Sequence, residues 1–147
     1  MANEFSVAAH WSGPFEEAAL QKWAEDLRTG LSASHINLGL VFIAPRFFKQ
    51  AKQILEILRV HARIPLLAGC SSQSLIVGAE EIEENAGLIL GLYALPGADL
   101  KALHFTQEQV EEANGPGYWQ MRLESIPNKT TAGLLLLTPF TWTVKVG

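Results

Sequence analysis

In the first half of the chain, short apolar runs alternate with longer segments of helical periodicity. The runs are Phe5–His10, Asn37–Ala44 and Pro65–Gly69, and the segments between them are Phe15–Leu31 and Phe48–Ala62. The second and third runs are apolar at successive positions, as in strands buried on both faces. Strands of this kind, separated by helices, are typical of a parallel sheet with helical crossovers. The pattern predicts a parallel β-α-β-α-β unit.

The boundaries of the first helix are marked by ordinary start signals. Ser12 can cap a helix, and Pro14 suits a first helical position. Apolar residues then recur every three or four positions up to Leu31 with charged residues between them, as in an amphipathic helix. We therefore expect one helix over Phe15–Leu31 that buries a single stripe.

The second half has a different pattern, with shorter segments separated by turn residues. PGAD joins two strand candidates, EEIEEN is expected to be an acidic connection, and NGPG a breaker without a following helix. We expect strands at Ser74–Val77, Ala86–Leu95, Leu100–Thr106 and Gly133–Leu137, and a short helix at Gln107–Ala113. The predicted fold class is α/β, with a mixed sheet whose parallel βαβαβ first half is followed by antiparallel strands.

The length suggests one domain over residues 1–147. Its end is unusual, because the strand-like PFTWTVKVG follows the LLLL run at once and leaves little sequence to cover the sheet. The expectation is a fragment that is incomplete at the C-terminus, or a domain completed by a second copy.

Composition and charge narrow the partners and the compartment. The formal charge is −4 and the basic residues are scattered, which argues against nucleic acid. The chain has one cysteine and no signal-peptide pattern at its start, which favours a cytoplasmic setting. The longest apolar stretches are shorter than the roughly 20 residues that a membrane span needs, so we expect no membrane contact.

Ligands of open parallel sheets bind outside the carboxyl ends of the strands, which here carry HWSGP, APRFF and GCSSQ. This edge also receives two helix N-termini, which attract anions. Arg46 adds a forked cation, and hydroxyls follow the first and third strands. The structural alternative is that Ser12 is only a helix cap and Arg46 only a solvated cation. The candidate ligand residues are His10, Ser12, Arg46, Gly69, Cys70, Ser71 and Ser72.

Cys70 has three interpretations: a nucleophile, a ligand contact, or a small packing residue. A Cys70–His10 dyad is conceivable if the first and third strands are neighbours. Against it, no Asp or Asn near His10 in sequence is an obvious group to orient the ring, and GCSSQS lacks the nucleophile-elbow pattern. Packing or non-covalent contact is favoured.

Other chemistry is not indicated. His10, His35, His61 and His104 form no metal-binding spacing, and no glycine-rich phosphate loop is present. The Glu80–Glu84 cluster is typical of a solvated turn. We expect neither a metal nor a cofactor.

The segments NLGLVFIAP, IPLLAGCSSQSLIVG, EEIEENAGLILGLYALPGADLKALHF and AGLLLLTPF resemble the N-terminal module of the FIST domain family, of F-box and intracellular signal transduction proteins. They span about residues 36 to 140, and Gly69, Cys70 and Ser71 match the family's Gly-Cys-Ser element. The resemblance implies a cytoplasmic sensory module that binds amino acids or similar ligands and is not an established enzyme. It also implies a C-terminal FIST module or a signalling output domain as partner.

The leading hypothesis is thus a sensory domain that binds an amino acid or another small carboxylate. The first alternative is a hydrolase or acyltransferase that uses Cys70. The second is a protein interaction platform, for instance a homodimer paired through a sheet edge.

Overall fold

The computed structural model describes residues 4–83, 87–123, 133, 134, 136 and 141–145. Two compact units are distinguished, one built from residues 1–98 and 136–147, and the other from residues 99–135. The first unit contains the strands β1 Ser6–Trp11, β2 Leu38–Ile43, β3 Leu66–Ser71, β4 Leu75–Val77, β5 Glu80–Ile82, β6 Leu88–Tyr93 and β7 Thr141–Lys145. It also contains α1 Glu17–Thr29, a 3-10 helix Pro45–Gln50 and α2 Ala51–His61.

Five strands form one mixed sheet in the order β1-β6-β2-β3-β7. β2 and β3 are parallel, whereas β6 is antiparallel to both β1 and β2, and β7 is antiparallel to β3. The α/β class and the mixed sheet are therefore confirmed. β1, β2 and β3 run in the same direction, but β1 is not the neighbour of β2, so the predicted unit is not contiguous.

The burial of the strands explains the insertion of β6. Five of the six residues of β6 are buried, and a strand of that kind needs a neighbour on each side and cover on both faces. β1 instead mixes exposed and half-buried residues, which suits the edge of a sheet. β6 consequently takes the inner position, between β1 and β2.

One face of the sheet is covered by α1 and α2. The main core contains Val41, Leu67 and Leu90 from the strands and Leu20 and Leu58 from the helices. The ring of Trp11 meets that of Trp23 edge to face, with centroids 5.8 Å apart. His61 Nδ1 lies 2.7 Å from Glu25 Oε1 and links the two helices at their exposed side. α1 begins later than predicted, with Glu16 and not Ser12 at its cap.

The second face carries the hairpin formed by β4 and β5. Leu75 of the hairpin packs with Ala44 and Ile89, and Phe42 and Ile82 lie against this cluster. The strand predicted at Ser74–Val77 is thus confirmed. The acidic connection after it was wrong in part, because its first residues pair with β4 as β5.

The second unit contains α3 Gln107–Glu111 and α4 Pro116–Arg122. Thr106 caps α3 through a reciprocal bond pair with Gln109, which confirms the predicted short helix. The NGPG prediction was wrong, because Gly115 adopts a φ of 79° and Pro116 is the first residue of α4. Leu100–Thr106 forms no strand; most of it is exposed, and no described strand lies beside it.

The predicted strand Gly133–Leu137 lies partly outside the described residues. Within the part of the chain that the structure describes, none of the helices combines the length and apolarity needed to cross a membrane.

Candidate functional site

β1, β2 and β3 end at the same edge of the sheet. Trp11 is opposite Leu88 of β6, Leu88 is opposite Ile43, and Ile43 is opposite Ser71. These four residues form one row across the sheet. The three loops that carry the predicted ligand residues therefore leave the sheet at one edge, as the sequence predicts, with the start of β6 between the ends of β1 and β2.

Arg46 joins the first two of these loops. Its Nη2 donates to the carbonyl oxygen of Ser12 at 2.6 Å and to that of Gly13 at 3.3 Å. Its guanidinium carbon also lies 4.5 Å from the centroid of the Phe47 ring. The side chain is exposed, so this cation is held at the edge of the sheet and stays accessible to solvent.

The third loop turns at Ser72. Its backbone N–H donates to the carbonyl oxygen of Ile43 at 3.0 Å and continues the parallel ladder. Its hydroxyl donates to the carbonyl oxygen of Ser74, so this hydroxyl proton is used within the loop. Ser71 and Ser72 are half-buried and Ser12 is exposed. Three hydroxyl-bearing residues thus stand at the edge with Arg46.

His10 and Cys70 belong to the second face of the sheet. Register pairs His10 with Ile89, Ile89 with Phe42, and Phe42 with Cys70. Three strand spacings of about 4.8 Å place the two residues about 14 Å apart. The condition for a Cys70–His10 dyad, neighbouring strands, is therefore not met. Cys70 is also only 5% exposed.

Gly69 has a packing role that the sequence does not reveal. A Cβ atom at this position would lie 1.8 Å from the carbonyl oxygen of Val41 on the adjacent strand. Only glycine lets the two backbones approach so closely. Gly69 of the Gly-Cys element therefore allows β3 to pack closely against β2.

Two grooves in the first unit lie away from the seven candidate residues. One, of about 330 Å³, runs along Ser6–Ala8 beside Gly78 and Tyr93. The other, of about 480 Å³, lies near the amino ends of β1 and β2 and is lined by Phe5, Ala94 and the loop before β2. It is at the opposite edge of the sheet from Arg46.

Arg28 is the charged residue that the sequence reasoning missed. It is 6% exposed, and burial lowers the pKa of its guanidinium, with a further contribution from the charge of Arg63. Its donors reach the loop that follows α1. A signal was available, because Arg28 lies four residues after Ala24 and therefore falls on the buried stripe of the helix.

Metal binding finds no geometric support in the described ranges, where no three His, Cys, Asp or Glu side chains come close enough to hold an ion. Comparison with protein-family models, with curated proteins and with solved structures gives no match. The resemblance to the FIST family stays a prediction.

Proposed function

We propose that this chain is a sensory domain that binds an amino acid or another small carboxylate at the edge where β1, β2 and β3 end. The observation that carries the proposal is the position of Arg46, which its bonds to Ser12 and Gly13 hold at this edge between the ends of β1 and β2, close to Gly87. The cytoplasmic setting and the signalling output domain belong to the same proposal and rest on the FIST resemblance.

The chemistry of Arg46 supports a carboxylate. The bonds of its guanidinium to the carbonyl oxygens of Ser12 and Gly13 both come from Nη2. Every fork of a guanidinium includes Nη2, so a carboxylate at this position would accept single charge-assisted bonds from Nη1 or Nε, or share Nη2 with the two carbonyls. Ser71 and Ser72, at the end of the neighbouring strand, add polar groups from the third loop.

The proposed site contains fewer residues than the seven candidate ligand residues that the sequence predicts. Ser12, Arg46, Ser71 and Ser72 form the proposed site, because their loops leave one edge. His10 and Cys70 lie on the second face and are left out of it. The hydrolase alternative loses its supporting geometry, since the imidazole of His10 lies about 14 Å from the thiol of Cys70.

A thermal-shift screen of the chain against amino acids and small carboxylates tests this function. A ligand at about 100 times its dissociation constant stabilises the folded state by roughly 2.7 kcal/mol, a readily measured shift. Arg46→Gln should abolish the shift, while Lys49→Gln should retain it. Lys49 is a matched control, because it is an exposed cation on the same 3-10 helix.

Two results would contradict the proposal. One is the absence of a stabilising compound in the whole panel. The other is an equal shift in the wild type and in Arg46→Gln.

A second candidate function is self-association through β1, which is favoured by the nature of this edge. β1 is six residues long, ends the sheet order, and contains no Lys, Glu, Asp or Pro. These are the residues that usually protect an edge strand from pairing. Sedimentation should then show a species above 16.1 kDa that Ala8→Lys disperses and Ile76→Lys does not. A monomer at all concentrations would refute it.

A further inference from the structure

Arg28 is a buried cation, and no carboxylate neutralises it within the part of the chain that the structure describes. Arg28 Nη2 donates to the carbonyl oxygens of Ala33 at 3.0 Å and Ser34 at 2.8 Å. Its Nη1 lies 3.4 Å from the carbonyl oxygen of Leu31, and its Nε is buried without a partner. The positive charge is therefore held by carbonyl dipoles alone.

These bonds fix the direction of two peptide groups. The carbonyls of Ala33 and Ser34 meet the same nitrogen, so both point toward Arg28. In a planar trans peptide the N–H points opposite to the C=O, and the chain contains no cis peptide among the described residues. The N–H groups of Ser34 and His35 must then point away from the guanidinium, on the other side of the loop.

Neither N–H group donates to a backbone carbonyl of the described residues. Ser34 and His35 are both exposed. Successive N–H groups that point in the same direction form a concavity that attracts anions. The cation bonded to the carbonyl side polarises both peptides and strengthens their N–H donors.

Both residues line the groove of about 480 Å³ at the amino ends of β1 and β2. This volume is within the range of sites that hold small molecules. Phe5, Ala94 and Pro96 supply an apolar wall, and Phe5 is 53% exposed. The groove thus combines an apolar surface with a pair of anion donors.

The lining of this groove includes the side chain of Glu4, which supplies a carboxylate. Its carboxylate favours a ligand with a cationic group and opposes a simple anion. An anion donor pair and a carboxylate in one small groove suit a molecule that carries both charges.

We propose that this groove binds a small zwitterion with an apolar body. Its carboxylate accepts from the N–H groups of Ser34 and His35, and its ammonium group faces Glu4. The apolar part lies against Phe5 and Pro96. This site is separate from the one at Arg46 and does not depend on it.

Amide NMR spectroscopy with three matched probes tests the proposal. L-leucine carries both charges, 4-methylpentanoate lacks the ammonium group, and 3-methylbutylamine lacks the carboxylate. L-leucine should shift the amide signals of Ser34 and His35 in a saturable manner. The carboxylate alone should shift them more weakly, and the amine should leave them in place.

Glu4→Gln separates the two charge contacts. An exposed ion pair of about 1 kcal/mol corresponds to about a fivefold loss of L-leucine affinity. The same variant should not weaken binding of 4-methylpentanoate. Glu80→Gln, which removes an exposed carboxylate on β5, should leave both affinities unchanged.

The outcomes distinguish this site from the one proposed at the strand ends. Signals that move at Ser71 and Ser72 but not at Ser34 and His35 would support the Arg46 site and overturn this one. Equal shifts from the amine and from L-leucine would also overturn it, because the carboxylate would then not be recognised.

Discussion

His10 and Cys70 share one row of the sheet, with Ile89 and Phe42 between them. Both therefore lie on the second face, although the strands that carry them end at the edge where Arg46 lies. Because two residues lie between them in this row, the imidazole of His10 and the thiol of Cys70 are too far apart to form the dyad that the sequence made conceivable. Both side chains are on the face opposite the one that α1 and α2 cover.

Cys70 should consequently be a slow nucleophile. With 5% exposure and the His10 imidazole about three strand spacings away, its alkylation by iodoacetamide near pH 6 should be no faster than that of N-acetylcysteine. The rate should rise to that of the small thiol in urea, and His10→Ala should not change it. Rapid alkylation that His10→Ala slows would restore the enzymatic hypothesis.

Gly69→Ala should destabilise the chain by about 3 kcal/mol, because the new Cβ overlaps the carbonyl oxygen of Val41 and pushes β2 and β3 apart. Urea denaturation would measure the loss. Gly117→Ala is the matched control, since its Cβ meets nothing within 4 Å and alanine favours a helix. Equal effects of the two substitutions would contradict the packing role of Gly69.

Arg28→Met should cost about 3 kcal/mol of folding free energy, since it leaves the carbonyls of Ala33 and Ser34 without a donor. Arg28→Lys should recover part of this, because one ammonium group cannot reproduce the fork. Arg63→Gln, at an exposed cation that opposes the charge of Arg28, should be neutral or slightly stabilising. A tolerated Arg28→Met would show that the loop is held by other contacts.

Arg46→Ala should reduce stability by about 1 kcal/mol, since the charged donor to the Ser12 carbonyl is lost but water replaces it at this exposed position. Lys49→Ala should have almost no effect on the urea midpoint. If the two variants are equally stable, the bond between the two loops contributes nothing to folding.

Glu56 should titrate below the usual range for a glutamate. Hydrogen bonds from Arg59, at 2.7 Å from Nη2 and 3.3 Å from Nε, hold the pKa of its carboxyl down. A lowered pKa means that the pair contributes stability above the unfolded-state pKa and loses it as pH falls through the folded value. Carboxyl ¹³C NMR should show a midpoint that rises in Arg59→Gln and stays in Arg122→Gln.

The helices and the strands of the first half were predictable because the burial of each one produces a pattern of apolar residues within its own segment. The stripes in α1 and α2 and the continuous run in β2 report burial through periodicity within one segment. The place of β6 was not predictable in this way. Pairing joins residues far apart in sequence, and only the continuous apolar run within Ala86–Leu95 hinted at an inner strand.

The sequence was enough to predict at which edge of the sheet the candidate site lies, but not to which face each of its side chains points. The common direction of β1, β2 and β3 places Ser12, Arg46 and Ser72 at one edge of the sheet, and Arg46 bonds to Ser12 there. Alternation along β3 sends Cys70 and Ser71 to opposite faces, but the sequence does not say which face the helices cover. Arg28 was missed because a charged residue on an apolar stripe is normally assigned to its margin.

The insertion of β6 also sets the order in which the sheet can be completed during synthesis. β1 is made first, yet its described strand neighbour is β6, whose residues 88–93 follow nearly eighty positions later. At about 5–20 residues per second, the ribosome needs on the order of ten seconds to supply that neighbour. During this interval β2 and β3 can pair. β1 remains an unprotected apolar segment that is available to chaperones or to other nascent chains.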